Sequence, residues 1–212
     1  MFKFLESDPL KKAKKRVEKA LIEIEEGYPE YASTEYEKAA RLFQEQDEIE
    51  FAVKYFREAA SCSLENNDHY RCAELKIAAA ECLFLDGRFD EGAVLYSESS
   101  DHLFRVKKGR ESNRALGIAI IGYLGARNFE TATNLMRKAE KRLVETSQKT
   151  DANYELAKLC VTILCDGSEI TKKVFEKAAG HAIDCRVVAS GVSRAASYHR
   201  VSMLLDSPRV WP

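Results

Sequence analysis

The amino-acid sequence predicts an all-α protein, and three observations carry that prediction. The chain has 212 residues and four prolines, Pro9, Pro29, Pro208 and Pro212, so nothing between Glu30 and Ser207 is proline. An average chain carries roughly one proline in twenty, and proline breaks helix interiors while serving the turns and bulges of sheet proteins. The proline-free run is rich in Ala, Leu, Glu, Lys and Arg, the good helix formers. Finally, a pattern recurs every 40 residues, because Ile49-Glu-Phe-Ala52, Phe89-Asp-Glu-Gly92 and Phe129-Glu-Thr-Ala132 align. Phe56, Tyr96 and Met136 share one position of that pattern, and Ala59, Ser99 and Ala139 share another. A weaker fourth copy, slipped by one residue, holds Phe175 and Ala178. The small residue lets two helices approach, and the large ones fill the groove beside it.

Boundary signals then place about ten helices, at about 8–26, 30–45, 48–65, 69–86, 89–107, 111–126, 129–148, 152–165, 169–180 and 183–206. Asp8 is an N-cap and Pro9 occupies the first helical position. Gly27 and Pro29 separate the first two helices. Asn66-Asn67-Asp68 is a turn with Asp68 as the next cap. Gly87 is a left-handed stop. Gly109, Asn128, Asp151 and Asp166-Gly167-Ser168 mark the remaining boundaries.

No single hairpin buries its own apolar stripe, so hairpins repeating in register are expected to stack into an α-solenoid. The expected organisation is an N-terminal capping helix at 1–28, four hairpins over 29–185, and a C-terminal capping helix and tail at 186–212. Lys11-Lys-Ala-Lys-Lys-Arg16 supplies the polar outer face that a cap requires.

Tyr36-Glu-Lys-Ala-Ala-Arg-Leu-Phe43, Phe51-Ala-Val-Lys-Tyr-Phe-Arg-Glu-Ala-Ala60 and Ala78-Ala-Ala-Glu-Cys-Leu-Phe84 resemble tetratricopeptide-like repeats. They are most similar to the longer-hairpin form of the soluble NSF attachment protein family, over roughly residues 31–185. The resemblance implies a right-handed α-solenoid of antiparallel helix hairpins that acts as a cytoplasmic adaptor in vesicle transport, laid against a bundle of helices. It also implies that the first helix of each pair lines the concave face. On that basis Arg71, Asn113, Arg114, Asn153 and Lys158 are the candidate partner-binding residues. Asn113 and Asn153 lie 40 apart, so they are either a ladder of amides for a bound segment or ordinary first-turn residues. The tail Ser207-Pro-Arg-Val-Trp-Pro212 departs from the leucine-bearing end of that family, which recruits a disassembly ATPase.

Charge is uneven along the chain. Residues 1–20 are net +4, residues 21–100 net −12, and residues 101–150 net +6. This describes either solvated helix faces or a steered partner site centred on the basic patch Arg105, Lys107, Lys108 and Arg110. Nucleic acid is not expected, since aromatic residues are not interleaved with that patch and the acidic half interrupts a phosphate track. No stretch reaches the about 18–20 apolar residues of a membrane span. A weak peripheral membrane contact would use Phe2, Phe4 and Leu5 beside Lys11, Lys12, Lys14 and Lys15.

Catalytic signatures are not found in the sequence. It has no Gly-rich phosphate loop, no Gly-x-Ser-x-Gly elbow and no His-Glu-x-x-His helix. The six cysteines include no Cys-x-x-Cys pair and read as reduced thiols. Cys160 and Cys165, with His181 and Cys185, are more widely spaced than structural zinc ligands. The expectation is a non-catalytic adaptor without cofactor or metal that binds a helical or extended protein segment. A membrane-fusion adaptor is the alternative, and a metal-dependent or hydrolytic enzyme is a third reading. Cytoplasmic placement follows from the cysteine usage.

Overall fold

Asp8 opens the first helix as the sequence predicts: its carboxylate accepts a hydrogen bond from Leu10 N at 3.0 Å, and Pro9 needs no such partner. The structure, a computed structural model, describes residues 8–147 and 149–164. Among them are eight α-helices and no strand: α1 (Pro9–Glu25), α2 (Pro29–Glu45), α3 (Ile49–Glu65), α4 (His69–Leu85), α5 (Phe89–Arg105), α6 (Gly109–Gly125), α7 (Phe129–Thr146) and α8 (Ala152–Leu164). The expected helices at 169–180 and 183–206, the fourth repeat copy, Cys165, His181, Cys185, the C-terminal cap, and Phe2, Phe4 and Leu5 lie outside the described residues.

Helix starts recur at half the forty-residue spacing, as two helices per hairpin require. Helices α1 to α7 begin at residues 9, 29, 49, 69, 89, 109 and 129. The structural unit is thus one helix and one three-residue turn, twenty residues in all. The fourth residues of α2 to α7 are Ala32, Ala52, Cys72, Gly92, Ser112 and Ala132, and all are buried. The eleventh residues are Ala39, Ala59, Ala79, Ser99, Ala119 and Ala139, each fully buried. Small residues seven apart lie on one helix face, where they let a neighbouring backbone come close. The intervening buried position holds Tyr36, Phe56, Tyr96, Leu116 or Met136; α4 has Lys76 there and buries Leu75 instead.

The turns are also one device used six times. In each, the middle residue has positive φ: Gly27, Asp47, Asn67, Gly87, Lys107 and Arg127. Its N–H donates three residues back, as in Gly27 N to Ile24 O at 3.0 Å and Lys107 N to Phe104 O at 3.0 Å. The next N–H donates five residues back, as in Tyr28 N to Glu23 O at 2.8 Å and Lys108 N to Leu103 O at 2.9 Å. This Schellman pairing satisfies the last carbonyls of one helix. The residue that closes it is already the N-cap of the next helix. Asp68 accepts from Arg71 N at 2.9 Å in that role, and Asn128 from Thr131 N at 3.3 Å.

Gly109 marks a helix boundary, as expected, but not as a left-handed stop. It is the buried first residue of α6, and the left-handed position belongs to Lys107. A left-handed turn admits a side chain at a cost of about 1–2 kcal/mol. Gly27 and Gly87 have open space where a Cβ would stand, so replacing either by alanine tests backbone strain alone. Gly27→Ala and Gly87→Ala should each lower stability by about 1–2 kcal/mol. Lys107→Gly should raise it by less than about 1 kcal/mol, because glycine also loosens the unfolded chain. Urea unfolding measures both, and an unchanged midpoint in Gly27→Ala would refute the strain argument.

The chain divides into two units, Met1–Cys82 and Leu83–Pro212. In unit 1, α1 packs on α2 and α2 on α3. An aromatic file ties the last pair: Tyr55 of α3 stacks on Tyr36 and Phe43 of α2 at 5.8 and 5.4 Å between centroids, and Phe43 stacks on Phe51 at 5.1 Å. The buried Ser33 hydroxyl hydrogen-bonds Ala59 O at 2.9 Å and lies 2.8 Å from Ser63 Oγ. In unit 2, α6 is central, meeting α5, α7 and α8. Fourteen of its residues are buried, which explains why it reads as apolar nearly all round.

Candidate functional site

The groups that sequence reasoning singled out fall into three places. Arg71, at the start of α4, donates to Glu37 of α2 and lies 3.6 Å from Glu74. Its side chain is about one-third exposed, and it already serves unit 1 as a tie between helices. Glu37 also takes Arg41 at 2.7 Å, so one carboxylate holds two guanidinium groups.

Asn113 and Asn153 belong to the contact between α6 and α8 in unit 2. The reason is Gly117, one turn after Asn113. A Cβ there would stand 2.7 Å from Tyr154 N and 2.9 Å from Asn153 C, so glycine brings the α8 backbone directly onto α6. Both asparagines are consequently buried, Asn113 to 1 % exposure and Asn153 to 5 %. Asn113 Oδ1 and Nδ2, Asn153 Oδ1 and the Tyr154 hydroxyl make no hydrogen bond in this structure. Burial, with Glu140 and Glu155 nearby, pushes the Tyr154 phenol up to about 12. Buried in this way, the two asparagines are not a surface ladder of amides. Asn153 is also a first-turn residue, its N–H donating to Asp151 Oδ1 at 2.9 Å.

Arg114 and Lys158 stay at the surface of the same unit. Arg114 is exposed. Lys158 is half exposed and lies 3.5 Å from Glu140. The basic patch is real as a cluster. Arg105 ends α5, Lys107 and Lys108 make the turn, and Arg110 is the second residue of α6, all four exposed. Arg114 follows Arg110 by one helical turn, so the patch continues along α6.

Sequence reasoning missed two buried polar assemblies. Glu35 of α2 is 4 % exposed, yet it accepts hydrogen bonds from Arg16 Nη1 at 2.7 Å, Lys38 Nζ at 2.9 Å and Lys19 Nζ at 3.3 Å. Burial alone would raise its pKa, but the three cationic donors outweigh burial and hold it at about 2. In unit 2, Arg142 of α7 donates to Ser100 Oγ at 2.8 Å and Ser112 Oγ at 3.2 Å, and pairs with Asp101. Its guanidinium lies 4.4 Å from the centre of the Phe104 ring. Lys138 adds a contact to Asp101 at 2.7 Å. Burial opposes ionisation of Asp101, and Lys138 and Arg142 overcome it, so its pKa is lowered. A signal for these assemblies exists in the sequence only as single charges and serines on otherwise apolar faces.

Among the described residues, no three His, Cys, Asp or Glu are placed to hold a metal ion. Cys62, Cys72, Cys82 and Cys160 are buried and form no disulfide. Burial, helped by neighbouring glutamates, pushes Cys62 and Cys82 up to about 11, and burial takes Cys160 to about 12, so little thiolate forms at neutral pH. A cleft of about 290 Å³ opens between the α4–α5 and α6–α7 turns, lined by Gly87, Arg88, Phe89, Asp90, Gly125 and Arg127 among others. Arg88 there is committed to Glu91 at 2.7 Å, and none of the residues lining the cleft is a histidine, cysteine, serine or threonine. None of the described helices is long and apolar enough to cross a membrane.

Among the described residues the protein is all-helical, with charged and polar side chains exposed along its helices. Comparison with protein-family models, with characterised proteins and with solved structures finds no match.

Proposed function

We propose that this protein is a non-catalytic adaptor whose helices form a right-handed α-solenoid of antiparallel hairpins, and that it binds a helical or extended protein segment along its concave face. The observation that carries the reading is the twenty-residue repetition itself. Turns of one kind and small buried residues recur at fixed intervals along the chain, so surface side chains recur at regular spacing in the sequence of helices. Such arrays present long surfaces to elongated partners. The exposed cations at the α5–α6 turn and Arg114 supply the polarity that steers an acidic segment onto that surface.

Arg114 is the cleaner probe, because Arg71 already pairs with Glu37. Arg114→Glu should reduce partner capture about tenfold or more while leaving the circular dichroism spectrum unchanged, as rim charges act on encounter and specificity. The measurement is a paired capture from the source cell, wild type against variant, read by mass spectrometry. Equal capture of every protein by both would remove Arg114 from the binding face.

A further inference from the structure

We propose that the cationic face shared by α1 and α2 in unit 1 binds a phosphate-bearing headgroup, held by Arg16, Lys19 and Lys38 and extended by Lys12 and Lys15. The face is organised by Glu35. Its Oε2 takes Arg16, and its Oε1 takes both Lys19 and Lys38. Two ammonium groups on one oxygen sit within two hydrogen-bond lengths of each other, and the guanidinium is on the adjacent oxygen. Three cations thus converge over the breadth of one carboxylate, with two positive charges unbalanced.

The arrangement has a floor and a mouth. The Glu35 side chain is 5 % exposed, whereas Arg16, Lys19 and Lys38 are 35 %, 53 % and 50 % exposed. After serving Glu35, each ammonium keeps two of its three donors, and the guanidinium keeps most of its five. Those donors are turned toward solvent by the carboxylate beneath them. Lys12, Lys15, Arg16 and Lys19 fall at i, i+3, i+4 and i+7, one face of α1. Lys12 and Lys15 are exposed and have no ion-pair partner among the described residues. Glu18 lies off that face, as do Lys11 and Lys14. Asp8, four residues before Lys12, and Glu23, four residues after Lys19, border the same face, so five cations and three carboxylates leave it with two unbalanced positive charges.

Compactness selects the ligand class. A phosphate group places several acceptor oxygens and more than one negative charge in the volume that three converging donors enclose. An acidic peptide spreads single charges along its chain and would meet the donors one at a time. The phosphate comes either from a lipid headgroup or from a soluble phosphate ester. Membrane attraction grows by about a factor of five for each basic residue near an anionic surface.

The test uses the full chain and flotation with phosphatidylcholine vesicles that carry phosphatidylinositol bisphosphate, beside phosphatidylserine vesicles of matched total charge. Preferential binding to the former, displaced by inositol trisphosphate, supports a lipid source. Calorimetric binding of inositol trisphosphate without vesicle binding supports a soluble one. Lys12→Gln and Lys15→Gln do not touch Glu35, so the double variant should stay folded and lose about twenty-five-fold in affinity. Glu35→Gln, which leaves the three cations without their counter-charge, should gain more thermal stability from inorganic pyrophosphate than wild type does at equal ionic strength. Equal binding to both vesicle types without inositol trisphosphate binding, undiminished affinity in the double variant, or equal pyrophosphate stabilisation of both proteins would each overturn the proposal. Displacement by polyglutamate as effective as that by inositol trisphosphate would reassign the face to an acidic polypeptide.

Discussion

Gly117→Ala should destabilise unit 2 by about 2–3 kcal/mol, against the usual gain of up to about 1 kcal/mol for alanine over glycine inside a helix. The added methyl would stand 2.7 Å from Tyr154 N and 2.8 Å from Tyr154 Cα. Those are backbone atoms of α8, so no rotamer change relieves the contact, and the two helices must separate. Separation also strips cover from Leu116, Ile120, Leu156 and Ala157, which are all fully buried. Hydrogen exchange locates the effect: α8 amides should lose protection first, while α2 and α3 keep theirs. Gly122→Ala is the companion. Its methyl would meet Phe84 Cζ at 2.5 Å and Ala93 Cβ at 3.0 Å. A Gly117→Ala protein as stable as wild type would show that α8 is not seated on α6 as described.

Glu35→Gln should cost unit 1 about 2–3 kcal/mol at neutral pH. The amide keeps the shape of the side chain but leaves Arg16, Lys19 and Lys38 facing one another without a counter-charge. The figure follows from the lowering of the carboxylate pKa from 4.5 to about 2, at about 1.4 kcal/mol per pH unit, reduced because the cations are one-third to one-half exposed. The sign of the pH dependence is determined by the same shift. A carboxylate whose folded pKa lies below its unfolded pKa contributes its full stability above the unfolded value. It loses that stability as pH falls from about 4.5 toward 2. Asp101, also lowered, acts in the same direction in unit 2. Wild type should therefore lose stability faster than Glu35→Gln across that window in urea titrations at stepped pH. Parallel curves for the two proteins would show that Glu35 is not ionised against its three partners.

How much of this was legible beforehand can be argued residue by residue. The described helix boundaries lie within two residues of those expected, because caps and stops are local. Asp8, Asp68, Asn128 and Asp151 each accept from a backbone N–H two or three residues ahead. The forty-residue spacing was legible, and within it the helices themselves begin every twenty residues. The large residues Ile49, Phe89 and Phe129 alternate with Pro29, His69 and Gly109 at the helix starts, whereas Ala32, Ala52, Cys72, Gly92, Ser112 and Ala132 recur every twenty. Small residues carry the register because close approach tolerates nothing larger. Lys107 was hidden as a turn residue because sequence signals reward glycine at positive φ. The hydrogen bonds of the motif are backbone bonds, and they form with lysine as well.

The candidate site divides in the same way. The basic turn at 105–110 is contiguous in sequence and was visible there. Arg71 was visible as a charge but not as Glu37's partner 34 residues away. Asn113 and Asn153 lie 40 apart in sequence, but their depth depends on Gly117, which admits the α8 backbone and closes the surface over them.

By itself, then, the sequence determined the all-helical class, the ends of the helices and the recurrence of small and large positions. These follow from propensity, capping and periodicity, which act over a few residues. Only the tertiary structure decided that α6 is the centre of its unit, and that Arg16, Lys19 and Lys38 gather on Glu35 while Lys11, Lys12, Lys14 and Lys15 remain without a partner among the described residues. Helical periodicity specifies which side chains share a face, but not which neighbour that face meets. A buried carboxylate is tolerated only where several cations reach it at once, and that depends on the packing of α1 against α2.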